Sequence, residues 1–198
     1  LPDTFGYSAA MPQILKLSHQ DYFMTIKLSW SNRTLFPYHT FTWEGIDGSE
    51  VVVHMPPEGT YNSRASAEAL VRGKIMQREA DYKDSFLMVY GIGDGGGGPS
   101  ERMLERLDRV GQFADLPRVQ QKSAISFFED LKDKDLPVYN GEMYLEKHRA
   151  TYTSQSNNKN FNRDCEGKLL VYEQLLSCLG ETGDKTVIDD IWKEVLLY

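Results

Sequence analysis

Apolar and polar residues alternate along "YFMTIKLSW" (22–30), the period-2 signature of a strand with one buried face. The same alternation runs through "TFTWEGIDGSEVVVHM" (40–55), where the Asp47-Gly48 step predicts a hairpin of two strands. The period then changes. In "SAEALVRGKIMQREAD" (66–81), Ala69, Leu70, Ile75 and Met76 fall near helical spacing. Ser85–Tyr90 is a short apolar run suited to a strand covered on both faces. Ser100 can cap a helix carrying Met103, Leu104 and Leu107, and Ser123 one carrying Ile125, Phe127, Phe128 and Leu131. "LPVYNGEMYLEK" (136–147) reads as extended. Strands alternating with short helices predict an α/β fold with a largely parallel sheet.

Past Thr153 the pattern shifts to a polar stretch, "SQSNNKNFNRD", and then to helical periods only. Two domains are therefore expected, an α/β part over 1–140 and the start of a helical part over 141–198. Both ends of the chain suggest a piece of a longer polypeptide: it opens on Leu1-Pro2-Asp3 and closes on the apolar stripe of "DDIWKEVLLY".

Composition narrows the class. Of 198 residues, 40% are hydrophobic and 26% charged, as in ordinary globular proteins, and the net charge of -7 argues against a nucleic-acid partner. No apolar run approaches the roughly 18–20 residues of a bilayer span, so no membrane partner is expected. Cys165 and Cys178 are too few for a disulfide framework, and a reducing, cytoplasmic compartment is the simpler reading.

The chemistry concentrates in "FLMVYGIGDGGGGPSERM" (86–103). Gly91, Gly93 and Gly96 match the G-x-G-x-x-G spacing of a nucleotide-binding α/β module. Against that alternative, Asp94 puts a negative charge where a pyrophosphate must sit. No Gly-Lys-Ser/Thr follows, and no acidic strand end lies about 20 positions on. A plain surface loop is the bland reading, and a non-catalytic interaction domain is a further one. Four consecutive glycines lose much backbone entropy on folding, which is more readily explained where backbone approaches a ligand. Asp94, at a strand end, is then a candidate general acid or base. Asp3 occupies a comparable place before the Gly6 turn, where Ser8 can cap a helix with Pro12 in its first turn. A pair of carboxylates at strand ends suits glycoside hydrolysis. Phe5, Tyr7, Trp30, Trp43, Tyr61 and Tyr90 could offer flat faces to sugars, or equally fill the core.

The segments "LPDTFGYSAAMPQILK", "FPYHTFTWEGIDGSEVVVHMPPEGTYN", "YGIGDGGGGPS" and "GEMYLEKHRATYTSQS" resemble, in order, the family 38 glycoside hydrolases, the retaining α-mannosidases, with the cytosolic/vacuolar and bacterial branch nearest. The resemblance implies part of a (β/α) barrel-like catalytic domain followed by the start of a three-helix middle domain. It implies hydrolysis of terminal non-reducing α-D-mannose from oligosaccharides or glycans. By the same likeness Asp3 is the nucleophile and a ligand of a divalent metal, usually zinc, and Asp94 is the acid/base. Phe5, Lys27, Tyr61 and His148 are implied to contact substrate; Lys27 stands where other branches carry arginine. Those branches also place two adjacent aspartates where this chain has Asp94-Gly95. The family's other metal ligands lie in a His-x-Asp segment upstream of the nucleophile and in a downstream His-Asp segment; the His-x-Asp present here, His19-Gln20-Asp21, follows Asp3 instead, and none of His19, His39, His54 or His148 begins a His-Asp pair. The remaining ligands are thus expected outside this chain, and the isolated piece is expected to be inactive. A cytoplasmic site, with the vacuole or lysosome as alternative, and an optional homo-oligomer of the full-length enzyme complete what the resemblance implies.

Overall fold

The computed structural model describes residues 1–79 and 85–197. These form two compact units, 1–147 and 148–198. The first contains a four-stranded sheet in the order β1-β3-β2-β4: β1 Tyr22–Met24, β2 Thr40–Glu44, β3 Glu50–His54 and β4 Val138–Asn140. The hairpin of β2 and β3 forms as expected, with Trp43 opposite Val51 and Gly48 at φ +81° in its turn. β1 and β3 run parallel, as do β2 and β4. The sheet is therefore mixed rather than largely parallel, because the short hairpin turn forces one antiparallel pair between two parallel ones.

Strand periodicity sets the core. Phe23, Phe41, Trp43, Val51 and Val53 point to one face and pack with Tyr7, Met143 and Leu145. Tyr22, Met24 and Val52 point to the other, against Phe127, Phe128 and Leu131 of the α4 region (Ala124–Glu129). Tyr22 stacks on Phe128 with ring centroids 5.1 Å apart. The remaining helices of this unit are α1 Met11–Leu17, α2 Ala67–Met76 and α3 Glu101–Val110. Ser66, Ser100 and Ser123 each cap a helix by accepting the backbone N–H three positions on. At α1, Ser8 instead accepts from Ala10 N, and the helix begins at Met11 with Pro12 in its first turn.

Three expected elements come out shorter. The strand over 22–30 ends at Met24, and Lys27–Trp30 is a 3₁₀ turn. Thr25 explains the break: its hydroxyl bonds the Tyr7 phenol and accepts from Lys27 N, so local side-chain bonds replace the ladder. The run 85–90 makes a single bridge, Tyr90 to Ser63, instead of a strand. The helix expected over 66–81 stops at Met76, and its last two positions, 80–81, lie outside the described residues.

The second unit holds a 3₁₀ turn at Arg149–Tyr152 and two helices, α5 Ser156–Leu179 and α6 Lys185–Leu197. α5 ends on Gly180 at φ +71°, with Glu181 N bonded to Leu176 O, a left-handed stop that glycine makes at no steric cost. Trp192 donates to Glu173 across the helix pair.

A buried polar seam joins β2 to the segment after α2. Glu79 accepts from His39 N at 2.7 Å and Thr40 N at 3.1 Å, and His39 Nδ1 accepts from Arg78 N. Burial, with Arg78 nearby, pulls the His39 pKa down to about 4. An imidazole that stays neutral in the fold but charges near pH 6.5 when unfolded stabilises the fold above that pH and loses its contribution as pH falls toward 4. The change is on the order of 3 kcal/mol. Burial raises the pKa of Glu79, which acts in the opposite sense over the acidic end of that range. Thermal melts between pH 7 and pH 4 are expected to fall steeply for the native chain. His39→Asn, whose Oδ1 takes the place of Nδ1 and can still accept from Arg78 N, is expected to flatten that slope.

Candidate active site

β1 and β3 are parallel neighbours, so the chain leaves both at the same edge of the sheet. Beyond β1 comes the Lys27–Trp30 turn. Beyond β3 comes a turn closed by Gly59 N to Pro56 O at 2.9 Å, which delivers Tyr61. The two turns abut: the position of a Cβ on Gly59 lies 3.5 Å from Ser29 Cβ. Ser63 then pairs with Tyr90 and brings the glycine loop alongside Tyr61. The Asp3–Tyr7 segment reaches the same place by pairing Tyr7 with Met143 through bonds of 2.9 and 3.0 Å.

At the centre lies Lys27, whose side chain is 2% exposed. Its Nζ is 2.7 Å from Asp3 Oδ1, and the Asp3 side chain is 51% exposed. The ammonium also sits over the Trp30 ring, 3.4 Å from its centroid, with Phe5 at 5.3 Å and Tyr61 at 5.5 Å. Residues i and i+3 eclipse in a 3₁₀ turn, which stacks Trp30 directly on Lys27. A strand there would have put the two on opposite faces.

Gly91–Gly98 folds back on itself. Ile92 and Gly97 exchange backbone bonds of 3.1 and 3.0 Å, and α3 begins only at Glu101. Asp94 occupies the tip at φ +57°, in left-handed backbone that aspartate tolerates better than most residues. A nucleotide-type loop would run from a strand directly into a helix N-terminus; this one closes a small hairpin first. Gly93 has a packing reason as well: a Cβ there would lie 2.1 Å from Asn62 Oδ1.

Tyr61 ties the halves together. Its hydroxyl donates to Asp94 Oδ1 at 3.4 Å. Desolvation raises its pKa, and the charges of Asp3 and Asp94, with the hydrogen bond to Asp94, raise it further. The phenol is thus held as a donor facing two acidic groups.

Asp3, Phe5, Lys27, Tyr61 and Asp94 therefore come together. His148 belongs to the other unit, where it is exposed at φ +63° and its carbonyl accepts from Thr151. Trp30 was visible only as one aromatic among several, and its spacing of three from Lys27 was the missed signal. Glu146, described below, gave no sequence signal. For a metal, Asp3 is one carboxylate and already faces an ammonium. Among the described residues no three His, Cys, Asp or Glu side chains group as a metal site. A divalent ion does not fit on these side chains alone.

Asp3 and Asp94 thus lie beside the rings of Trp30, Phe5 and Tyr61. Residues 1–142 match the glycosyl hydrolases family 38 N-terminal domain, and 146–198 match the alpha mannosidase middle domain. The chain belongs to glycosyl hydrolases family 38. It is 43% identical over 202 residues to "Alpha-mannosidase G" of Dictyostelium discoideum, covering 100% of this chain and 19% of that protein. It is 41% identical over 214 residues to "Alpha-mannosidase" of Saccharomyces cerevisiae, covering 100% and 20%. With human "Alpha-mannosidase 2C1" it shares 43% over 181 residues, covering 90% and 17%. The chain thus spans about a fifth of the length of these relatives. A crystal structure of an alpha-mannosidase from Enterococcus faecalis V583 aligns with TM-score 0.49 and 18% identity, over 72% of this chain and 17% of that one.

Two consequences of this geometry are measurable. Asp94→Gly is expected to leave unfolding free energy within about 0.5 kcal/mol of wild type, since glycine suits the left-handed tip. Asp3→Ala strands a buried ammonium, whereas Lys27→Met leaves a solvated carboxylate. Denaturant titration is expected to show Asp3→Ala as the costlier change, by roughly 1–3 kcal/mol.

Proposed function

We propose that this chain carries the catalytic carboxylates of a retaining α-mannosidase acting on terminal mannose of oligosaccharides or glycans. Asp3 attacks the anomeric carbon as the glycosidic bond breaks, and Asp94 gives its proton to the leaving oxygen. In the second half-reaction Asp94 takes a proton from water, whose oxygen displaces Asp3 and restores the original configuration. The observation that carries this reading is the convergence of Asp3 and Asp94 on Tyr61, whose hydroxyl donates to Asp94 and whose pKa the charges of both carboxylates raise. Retaining glycosidases hold such a pair about 5–5.5 Å apart, while inverting ones leave wider room for water.

Lys27 neutralises Asp3 and, with Trp30, Phe5 and Tyr61, shapes the pocket for the reacting sugar. His148 is a more distant candidate for substrate contact. Zinc needs two or three ligands beyond Asp3, and the described residues do not group to supply them. The sheet is read as part of a barrel-like domain over 1–140, and 141–198 as the opening of a helical domain. Two exposed free thiols, Cys165 and Cys178, fit a reducing, cytoplasmic setting. Among the described residues no helix is long and apolar enough to cross a membrane.

In the full-length enzyme, Asp3→Asn and Asp94→Asn are each expected to lower kcat on a nitrophenyl α-mannoside by on the order of 10³ or more. Wild-type turnover in either variant would refute the assignment.

A further inference from the structure

The Lys27–Asp3 pair joins two segments that the sheet does not hold together. Asp3 precedes the short pairing of Tyr7 with Met143, and Lys27 lies on a 3₁₀ turn past the end of β1. Three residues beyond Met143 is Glu146. Its Oε2 accepts from the Ser31 hydroxyl at 2.8 Å, and its Oε1 accepts from Asn32 N at 2.5 Å and Arg33 N at 3.0 Å. Those donors immediately follow the Lys27–Trp30 turn. The segment 143–146 therefore grips the Asp3 side through backbone and the Lys27 side through one carboxylate. Leu145, fully buried in the core, and Gly6, whose Cβ position lies 3.4 Å from Met143 O, leave this segment little room to shift.

We infer that Glu146 is a positioning residue that sets Lys27 and Trp30 against Asp3, and through them fixes the attacking carboxylate. The inference rests on the glycosidase reading of Asp3. Three hydrogen bonds hold the Glu146 pKa near 2, so the clasp stays ionised wherever the fold survives. Its action is geometric rather than titratable. A displacement of about 1 Å at a reacting group is enough to cost on the order of a hundredfold in rate.

The test uses the full-length enzyme with a nitrophenyl α-mannoside, with thermal midpoints measured alongside. Glu146→Ala is expected to lower kcat at least about tenfold with KM within about threefold. Glu146→Gln is expected to restore most of that loss, because its amide oxygen can accept both backbone N–H groups while its NH₂ donates to Ser31. Combined with Lys27→Met, Glu146→Ala is expected to add almost nothing to the loss in kcat, since both act on one pair. If Glu146→Ala does not fold, Ser31→Ala removes one tie and is expected to lower kcat about threefold at unchanged KM. Wild-type kcat in Glu146→Ala or in Ser31→Ala, or full additivity with Lys27→Met, overturns the inference. Asp3→Asn separates the two failures: an inactive Asp3→Asn beside a fully active Glu146→Ala sinks only the clasp, and an active Asp3→Asn sinks the reading of the site.

Discussion

A lysine ammonium taken almost wholly out of water is the constraint around which this site is built. Burying a lone charge costs several kcal/mol even after the surroundings relax, so Lys27 must be answered by an anion and by polarisable surfaces. Asp3 supplies the anion, and the faces of Trp30, Phe5 and Tyr61 supply the rest. Together these groups come from three stretches of chain: the segment before α1, the turn after β1 and the turn after β3. One electrostatic requirement thus gathers three loops at one edge of the sheet and leaves a half-exposed carboxylate among aromatic rings.

The second carboxylate is held by different means. Asp94 owes its place to backbone geometry, at the tip of a hairpin closed by Ile92 and Gly97. Gly93 lets that hairpin lie against Asn62, and the Ser63–Tyr90 bridge fixes its base. The nucleophile candidate is thus anchored by charge and the acid/base candidate by loop shape. The difference suits the two roles proposed for them.

Local signals in the sequence were the readable ones. Asp47-Gly48 set the hairpin because the turn's positive φ demands such residues, and Ser100 and Ser123 marked two helix starts through their capping oxygens. Asp3 and Asp94 stood out by their turn contexts, and family motifs attached roles to them. What stayed hidden was non-local. Thr25 ended the strand because its hydroxyl finds Tyr7, eighteen positions away. The run 85–90 looked like a buried strand, yet it makes only one bridge, so its apolar residues pack without joining the ladder. Glu146 looked like an ordinary acidic residue because its partners lie more than a hundred positions earlier in the chain.

That last separation has a consequence for how the molecule is made. β4 pairs with β2, the Trp43 indole donates to Gly141 O, and Glu146 closes on 31–33. All three closures wait for the same late stretch of polypeptide. On a ribosome adding about 5–20 residues per second, residues 31–44 emerge on the order of ten seconds before their partners at 138–146 exist. During that interval Phe23, Phe41 and Trp43 are open to solvent with nothing to cover them from the far end. A holding chaperone, or pausing late in translation, should therefore govern the yield of this unit more strongly than its final stability does.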